Sequence, residues 1–384
     1  MKIMILGSEG YMGWPTSVNQ CSQGHEILMI DNNIKKSLMR KHKRKPLVNQ
    51  KSINDRLLYL KKRFKNKVTF TNIDCSNLNK LESVFKKFKP DTVIHYAELP
   101  SAPYSMIGSK EGWLTLENNL KSTFNLISCV KKYNKDCHVI KLGTMGEYGT
   151  PNIDIEEGWL SVKHNKRIDK FMYPRQGSSL YHTSKIMDTD LLWFYVRLYE
   201  LRVTDLMQGP VYGIYYSDND DSKYLPTFSY DDIFGTVLNR FIVQAVVGIP
   251  LTIYGTGQQI RGYINLKDSL KCINLAIKNP AKKGQMEIYN QFTEQYSVNQ
   301  IAKKVRNALS RININVKLQK ISNPRIERNK HYYNARNDKM KKLGLHAELL
   351  DESTIIEIAE YVMKHKANID KKFIKLYKFF INIC

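Results

Sequence analysis

The stretch Lys2-Ile3-Met4-Ile5-Leu6-Gly7-Ser8-Glu9-Gly10-Tyr11-Met12-Gly13 decides the fold. An apolar run of strand length leads straight into glycines spaced GxxGxxG. Without Cβ atoms, Gly7, Gly10 and Gly13 permit a tight turn and let the backbone approach a pyrophosphate at a helix N-terminus. Further apolar runs alternate with helical patterns: Glu26 to Ile30, Val68 to Thr71, Thr92 to Tyr96, His138 to Leu142 and Thr204 to Met207. That alternation specifies an α/β fold, a doubly wound parallel sheet of the Rossmann type. Beyond about Gly209 the pattern loosens into loops, a helical segment Ile233 to Val247, a short strand Leu251 to Tyr254 and a mixed C-terminal region. We expect a dinucleotide-binding domain over residues 1–208. A smaller substrate-binding domain over 209–384 follows, with chain crossings back to the first.

The second strand ends in Asp31, about twenty residues past the glycines, where a carboxylate hydrogen-bonds an adenosine ribose and repels a 2′-phosphate. NAD is the expected cofactor, although Lys35, Lys36 and Arg40 are near enough in sequence to keep NADP open. Ligands bind such sheets at the carboxyl ends of the strands. The expected cofactor set is therefore Gly7, Gly10, Tyr11, Met12, Gly13, Asp31, Asn32, Asp74, Cys75 and Ala97. Asp74 reads equally as an adenine contact or as the N-cap of the next helix.

Tyr181-His182-Thr183-Ser184-Lys185 places a phenol and an ammonium four residues apart, on one face of a helix. A lysine cation beside a tyrosine favours the phenolate, so Tyr181 with Lys185 is expected to take a proton from an alcohol that also loses hydride.

Lys and Arg total 60 against 36 acids, a net charge of +24. No zinc-finger or RNA-binding signature accompanies it, and the densest cluster, Arg40-Lys41-His42-Lys43-Arg44-Lys45, reads as a solvated face. No nucleic-acid partner is expected; the positive field suits small anions such as dinucleotides and nucleotide sugars. The six cysteines show no CxxC or Cys/His spacing, so no metal and no disulfide framework is expected. No apolar run approaches the ~20 residues of a membrane helix, and the first strand begins at residue 2, leaving no room for a leader. The expectation is a cytoplasmic protein without integral membrane association.

With the glycine turn, Asp31 and the Tyr181/Lys185 pair in place, the chain resembles extended short-chain dehydrogenases/reductases acting on nucleotide sugars. Thr144 stands where that family keeps the hydroxyl assisting its tyrosine, Asn119 where it keeps a helix asparagine, and Tyr254-Gly255-Thr256-Gly257-Gln258-Gln259-Ile260-Arg261 resembles its diphosphate loop. Three stretches narrow this to the UDP-sulfoquinovose synthase family: Ser101-Ala102-Pro103-Tyr104-Ser105-Met106-Ile107, the eighteen residues Lys141 to Gly158 containing Gly143-Thr144-Met145-Gly146-Glu147-Tyr148-Gly149, and Asn290-Gln291-Phe292-Thr293-Glu294-Gln295.

This resemblance implies UDP-glucose and sulfite as substrates, C4 oxidation by Tyr181, Lys185 and Thr144 with NAD, loss of water across C5–C6, sulfite addition at C6 and re-reduction at C4. Ordinary 4,6-dehydratases carry an Asp-Glu pair after the threonine. Met145 and Gly146 replace it here, which opens space for an anion and leaves Glu147 and His182 as candidate proton carriers. The implied substrate contacts are Thr144, Gln208, Tyr254, Gln259, Arg261 and Arg325. Leu99-Pro100 departs from the family's Gln-Arg, so a sulfite-binding cation comes from elsewhere, with Arg175 or a lysine as candidates, or the protein handles sulfite poorly; Met207 and Pro210 also depart from the family pattern. The family's habit of pairing through two helices, here near Tyr104 to Tyr133 and Ser178 to Tyr199, implies a homodimer. The rivals are a UDP-glucose 4-epimerase or 4,6-dehydratase, and a non-catalytic dinucleotide-sensing or nucleic-acid-binding protein.

Overall fold

The computed structural model describes residues 1–65, 67–214, 224–322 and 332–374. Its main sheet has seven strands: β1 (Lys2–Leu6), β2 (Glu26–Asp31), β3 (Val68–Asn72), β4 (Thr92–His95), β5 (His138–Thr144), β6 (Arg202–Gln208) and β7 (Gln285–Gln291). Every pairing is parallel, in the order β7-β6-β5-β4-β1-β2-β3. The direction of winding reverses between β1 and β4, and the crevice opens at their carboxyl ends.

These strands read as near-continuous apolar runs because helices cover both faces. Side chains alternate across the sheet with period two. Ile3, Ile5, Ile27, Met29, Ile94 and Leu206 join Trp14, Val18 and Ile273 on one face, whereas Met4, Leu6, Leu28, Ile30, Val93 and Val203 join Leu126, Val130 and Leu192 on the other. The helix Gly13–Ser22 lies on the first face; Ser109–Tyr133 and Leu180–Tyr199 lie side by side on the second. A separate apolar cluster, including Phe228, Phe241, Ile242, Leu251, Ile301, Val305, Ile358 and Val362, holds the C-terminal elements together.

One boundary departs from the sequence expectation, and two further elements lie where it named none. The helical segment begins at Val237, not Ile233. The Asp231 carboxylate accepts the amides of Ile233 and Phe234 at 2.9 and 2.8 Å, so a side-chain turn outcompetes the helix there. An exposed antiparallel hairpin, Trp159–His164 with Arg167–Met172, occupies a stretch for which the sequence reading named no element. The seventh strand, Gln285–Gln291, comes from the C-terminal half and extends the main sheet beyond β6. Its Met286 and Ile288 join one core and Tyr289 the opposite one, an alternation hidden by polar flanks in QMEIYNQ.

Ile288 is 1% exposed. We expect Ile288→Ala to cost about 2–5 kcal/mol of stability in urea titration, despite lying some eighty residues beyond the sixth strand.

Candidate active site

The crevice is a cleft of about 490 Å³ running along the strand ends. At one end Gly7, Gly10, Tyr11, Met12 and Gly13 line it. A Cβ on Gly13 would lie 2.1 Å from the Gly7 carbonyl oxygen, and one on Gly7, whose φ is +78°, would lie 2.5 Å from the Tyr96 carbonyl. Only glycine closes this turn. Asp31, Asn32, Asp74, Cys75 and Ala97 line the same region. The Asp31 carboxylate accepts the Glu9 and Asn33 amides at 2.9 and 2.6 Å, and its burial raises its pKa. Asp74 accepts the Ser76 amide at 2.8 Å and is not the N-cap of the following helix, which is Asn77. These cradling glycines and the acid at the end of β2 fit a dinucleotide.

Glu9, which the sequence reading passed over, is 4% exposed. It is paired with Arg56 at 3.0 Å and Lys36 at 2.9 Å, while the Arg56 guanidinium lies over Trp14 at 3.7 Å. Lys36 therefore serves an acid inside the glycine turn. Asn119 is fully buried off the cleft wall; its Oδ1 accepts the Leu99 amide at 2.8 Å and its Nδ2 donates to Ser184 Oγ at 2.9 Å, tying the loop after β4 to the tyrosine-bearing helix.

At the centre of the cleft lie Thr144, Met145, Gly146, Tyr181 and His182. Ser179 caps the helix Leu180–Tyr199 by accepting the His182 amide at 3.1 Å, and Ser105 Oγ accepts the Tyr181 amide at 3.0 Å, which fixes the ring at the cleft. Thr144 ends β5 and caps a short turn, its Oγ1 accepting the Gly146 amide at 3.1 Å. The expected opening over Gly146 is filled: a Cβ there would lie 2.3 Å from His182 Nε2. His182 is held from the other side by Ser178 Oγ, 3.1 Å from Nδ1.

Two expectations change direction. Lys185 is fully buried, bonded to Glu98 and 3.7 Å from Asp188, and does not line the cleft. Its charge is met by carboxylates, and the Tyr181 hydroxyl is pushed up by burial first and then by Glu98 and Glu147, against a lowering pull from Lys141. Glu147 lies off the cleft wall, fully buried; Thr189 Oγ1 donates to it at 3.0 Å, with Lys141 Nζ at 3.4 Å and Arg175 at 3.7 Å. That position gives it a structural setting, whereas His182 lines the cleft. Arg175 is committed to Glu147 and Asp190, away from the cleft.

The far end is lined by Gln208, Tyr254, Gln259 and Arg261. Gln208 Nε2 donates to Ser269 Oγ at 2.7 Å and to Gln291 Oε1 at 2.9 Å. Arg240, unnoticed in the sequence, is 7% exposed and also lines the cleft. Its guanidinium sits 5.6 Å from the Tyr254 ring centre, and its Nε has no hydrogen-bond partner among the described residues. Its helical context, Val237–Val246, concealed it. Arg325 lies outside the described residues. Pro100 and Pro210 line the cleft, whereas Leu99 and Met207 are buried off its wall. Among the described residues no cluster of His, Cys, Asp and Glu could hold a metal ion, and no helix is long and apolar enough to cross a membrane.

A dinucleotide cradle joined to a tyrosine-bearing helix defines a class, and the model of the NAD dependent epimerase/dehydratase family matches residues 3–290. The chain belongs to that family. It is 40% identical over 372 residues to the chloroplastic UDP-sulfoquinovose synthase of Spinacia oleracea, covering 97% of this chain and 77% of the relative, and 38% identical over 347 residues to the UDP-sulfoquinovose synthase of Sulfolobus acidocaldarius, covering 90% and 88%. Within the family it belongs with the UDP-sulfoquinovose synthases. A solved UDP-glucose 4-epimerase of Bifidobacterium longum, in complex with NAD+ and UDP, shares the fold at a TM-score of 0.68 and 21% identity, covering 96% of this chain and 98% of that one.

Burial and the Glu98 charge push the Asp188 carboxyl up to about 8. An acid held protonated in the folded state binds more protons than in the unfolded chain, so its contribution to stability is present at low pH and lost as pH rises from about 4 to about 8. We expect wild-type stability to fall across that window, and Asp188→Asn to flatten the fall, in denaturant titrations at several pH values.

Proposed function

We propose that this chain makes UDP-sulfoquinovose from UDP-glucose and sulfite. The observation that carries the reading is the turn Thr144-Met145-Gly146 with the His182 ring against Gly146, beside Tyr181. This arrangement sets an oxidising hydroxyl pair next to an imidazole and no carboxylate pair. Identity of 38–40% to two synthases over nearly the whole chain supports it.

In this reading Tyr181 takes the proton from the glucose 4-hydroxyl, with Thr144 hydrogen-bonded to the same oxygen. The glycine turn and Asp31 would hold NAD, which would supply a reversible hydride acceptor for C4. The 4-ketone acidifies the C5 proton. Its loss together with the C6 hydroxyl yields water and an enone, and His182 is the side chain placed to carry these protons. Sulfite then adds at C6 and C5 takes a proton, so the balance is one UDP-glucose, one sulfite dianion and one proton in, one sulfonated sugar nucleotide and one water out. A dianionic nucleophile meets no carboxylate at Met145 or Gly146, where repulsion would be strongest. Arg240 and Arg261 are placed to hold the diphosphate, because guanidinium forks match phosphate oxygens.

A homodimer belongs to this reading. The helices Ser109–Tyr133 and Leu180–Tyr199 expose Trp113 (65%), Phe124, Met187, Phe194 and Leu198 (59%), large apolar groups concentrated on two adjacent helices. A cytoplasmic address is also part of it, supported by the buried Cys75, Cys129, Cys137 and Cys272, which form no disulfide among the described residues.

Incubation with UDP-glucose, NAD and labelled sulfite should place the label in the sugar nucleotide. UDP-galactose or a stable 4-keto sugar in its stead overturns the reading in favour of an epimerase or dehydratase. Tyr181→Phe should lower turnover by at least about a hundredfold while sparing NAD binding. Substituting Trp113→Glu with Leu198→Glu should yield monomers in light scattering; an unchanged mass removes those helices as the interface.

A further inference from the structure

Lys185 is the cation of the acid/base pair, yet it is fully buried and absent from the cleft wall, whereas Glu98 is on that wall. The Lys185 ammonium is bonded to Glu98 Oε2 and faces Asp188 at 3.7 Å. A ligand in the cleft thus meets the carboxylate before the ammonium.

The surroundings do not relieve Glu98 of this role. From β4, His95 Nε2 lies 3.5 Å from Glu98 Oε1 and 3.1 Å from Thr123 Oγ1 of the helix Ser109–Tyr133. Burial and the charges of Lys185 and Lys141 hold this imidazole well below its ordinary pKa, so it is neutral and adds no countercharge. From β5, Lys141 Nζ donates to the Lys185 carbonyl at 3.2 Å and to Thr189 Oγ1 at 2.6 Å. It also faces Glu147 at 3.4 Å and Asp205 of β6 at 3.3 Å, with Arg175 beyond Glu147. Lys141 is therefore shared between two acids, and Lys185 between two others. Tyr181 stands above a cluster in which carboxylates outweigh the cations acting on it.

We propose that Glu98 is a positioning residue of the acid/base pair, holding the Lys185 ammonium below the cleft and withholding its charge from the Tyr181 phenol until a hydroxyl-bearing ligand in the cleft competes for the lysine. Tyr181 then remains a phenol in the empty enzyme, and proton abstraction is coupled to occupancy. Physically, a carboxylate near the phenol favours the neutral form, and a neutral amide in its place does not. The inference rests on the assignment of Tyr181 as the base, but not on the sulfite chemistry.

The test is the pH dependence of C4 oxidation alone: holoenzyme mixed with UDP-glucose, sulfite omitted, with nicotinamide reduction followed by absorbance between about pH 5 and about pH 10. Glu98→Gln should move the acid limb down by about one pH unit or more, because the phenol loses a neighbouring negative charge. Glu98→Asp, which keeps the charge, should leave the limb near its wild-type position. Glu98→Ala, which also removes the charge, should move it in the same direction and answers the question if Glu98→Gln does not fold. An unmoved limb in the charge-removing variants, or a limb moved equally by Glu98→Asp, overturns the proposal. If wild-type enzyme does not reduce its nicotinamide with UDP-glucose, the functional reading fails instead. The proposal is then judged from the tyrosinate absorbance of wild type minus Tyr181→Phe, whose titration midpoint should fall on Glu98→Gln and whose constancy overturns it.

Discussion

Backbone meets backbone where Gly7 turns out of β1 against the Tyr96 carbonyl beyond β4, and no side chain fits into that approach. The remainder of the site depends on this closeness. Strands β1 and β4 are hydrogen-bonded neighbours although some ninety residues separate them, and their carboxyl ends diverge into one crevice. The glycine turn, Asp31, the loop carrying Glu98 and the turn carrying Thr144 all hang from those ends. A Cβ at Gly7 or Gly13 would push the first wall from the second and separate a cofactor from the groups that act beside it.

Beneath the crevice lies a second constraint, electrostatic and not steric. Two lysines, Lys141 and Lys185, are buried with Glu147, Asp188 and Asp205 under the tyrosine-bearing helix, and Glu98 reaches Lys185 from the cleft wall. Burying charges is costly unless they are paired and hydrogen-bonded, and an acid left over retains its proton, as Asp188 does. The cluster joins β4, β5, β6 and the helix Leu180–Tyr199 in one network, so the position of Lys185 is set by partners on other elements and not by its spacing from Tyr181.

Much of the site was legible in the primary structure. The glycine spacing with the acid at the end of β2 located the dinucleotide cradle, because both features act through backbone geometry and strand length, which are local. Thr144 ends a strand and Tyr181 and His182 begin a helix whose boundaries the chain announces, and Gln259 and Arg261 reach the cleft from the glycine-marked loop that enters the strand Ile260–Asn265. Glu147, one step along the same motif, points into the core, since its turn caps itself with that side chain. Arg240 escaped notice because an arginine within an apolar helix gives no local sign that its face lines a cavity.

Local patterning by itself determined the class of fold, the place of the cofactor and the identity of the phenol, since strand periodicity, missing Cβ atoms and helical spacing are properties of short segments. Only the tertiary structure decided what each charge faces. It brought Glu98 to Lys185 across 87 positions, set His182 over Gly146, paired Glu9 with Arg56, and carried Gln285–Gln291 back to complete the sheet. Electrostatic partners are chosen by proximity in space, which a linear chain does not record.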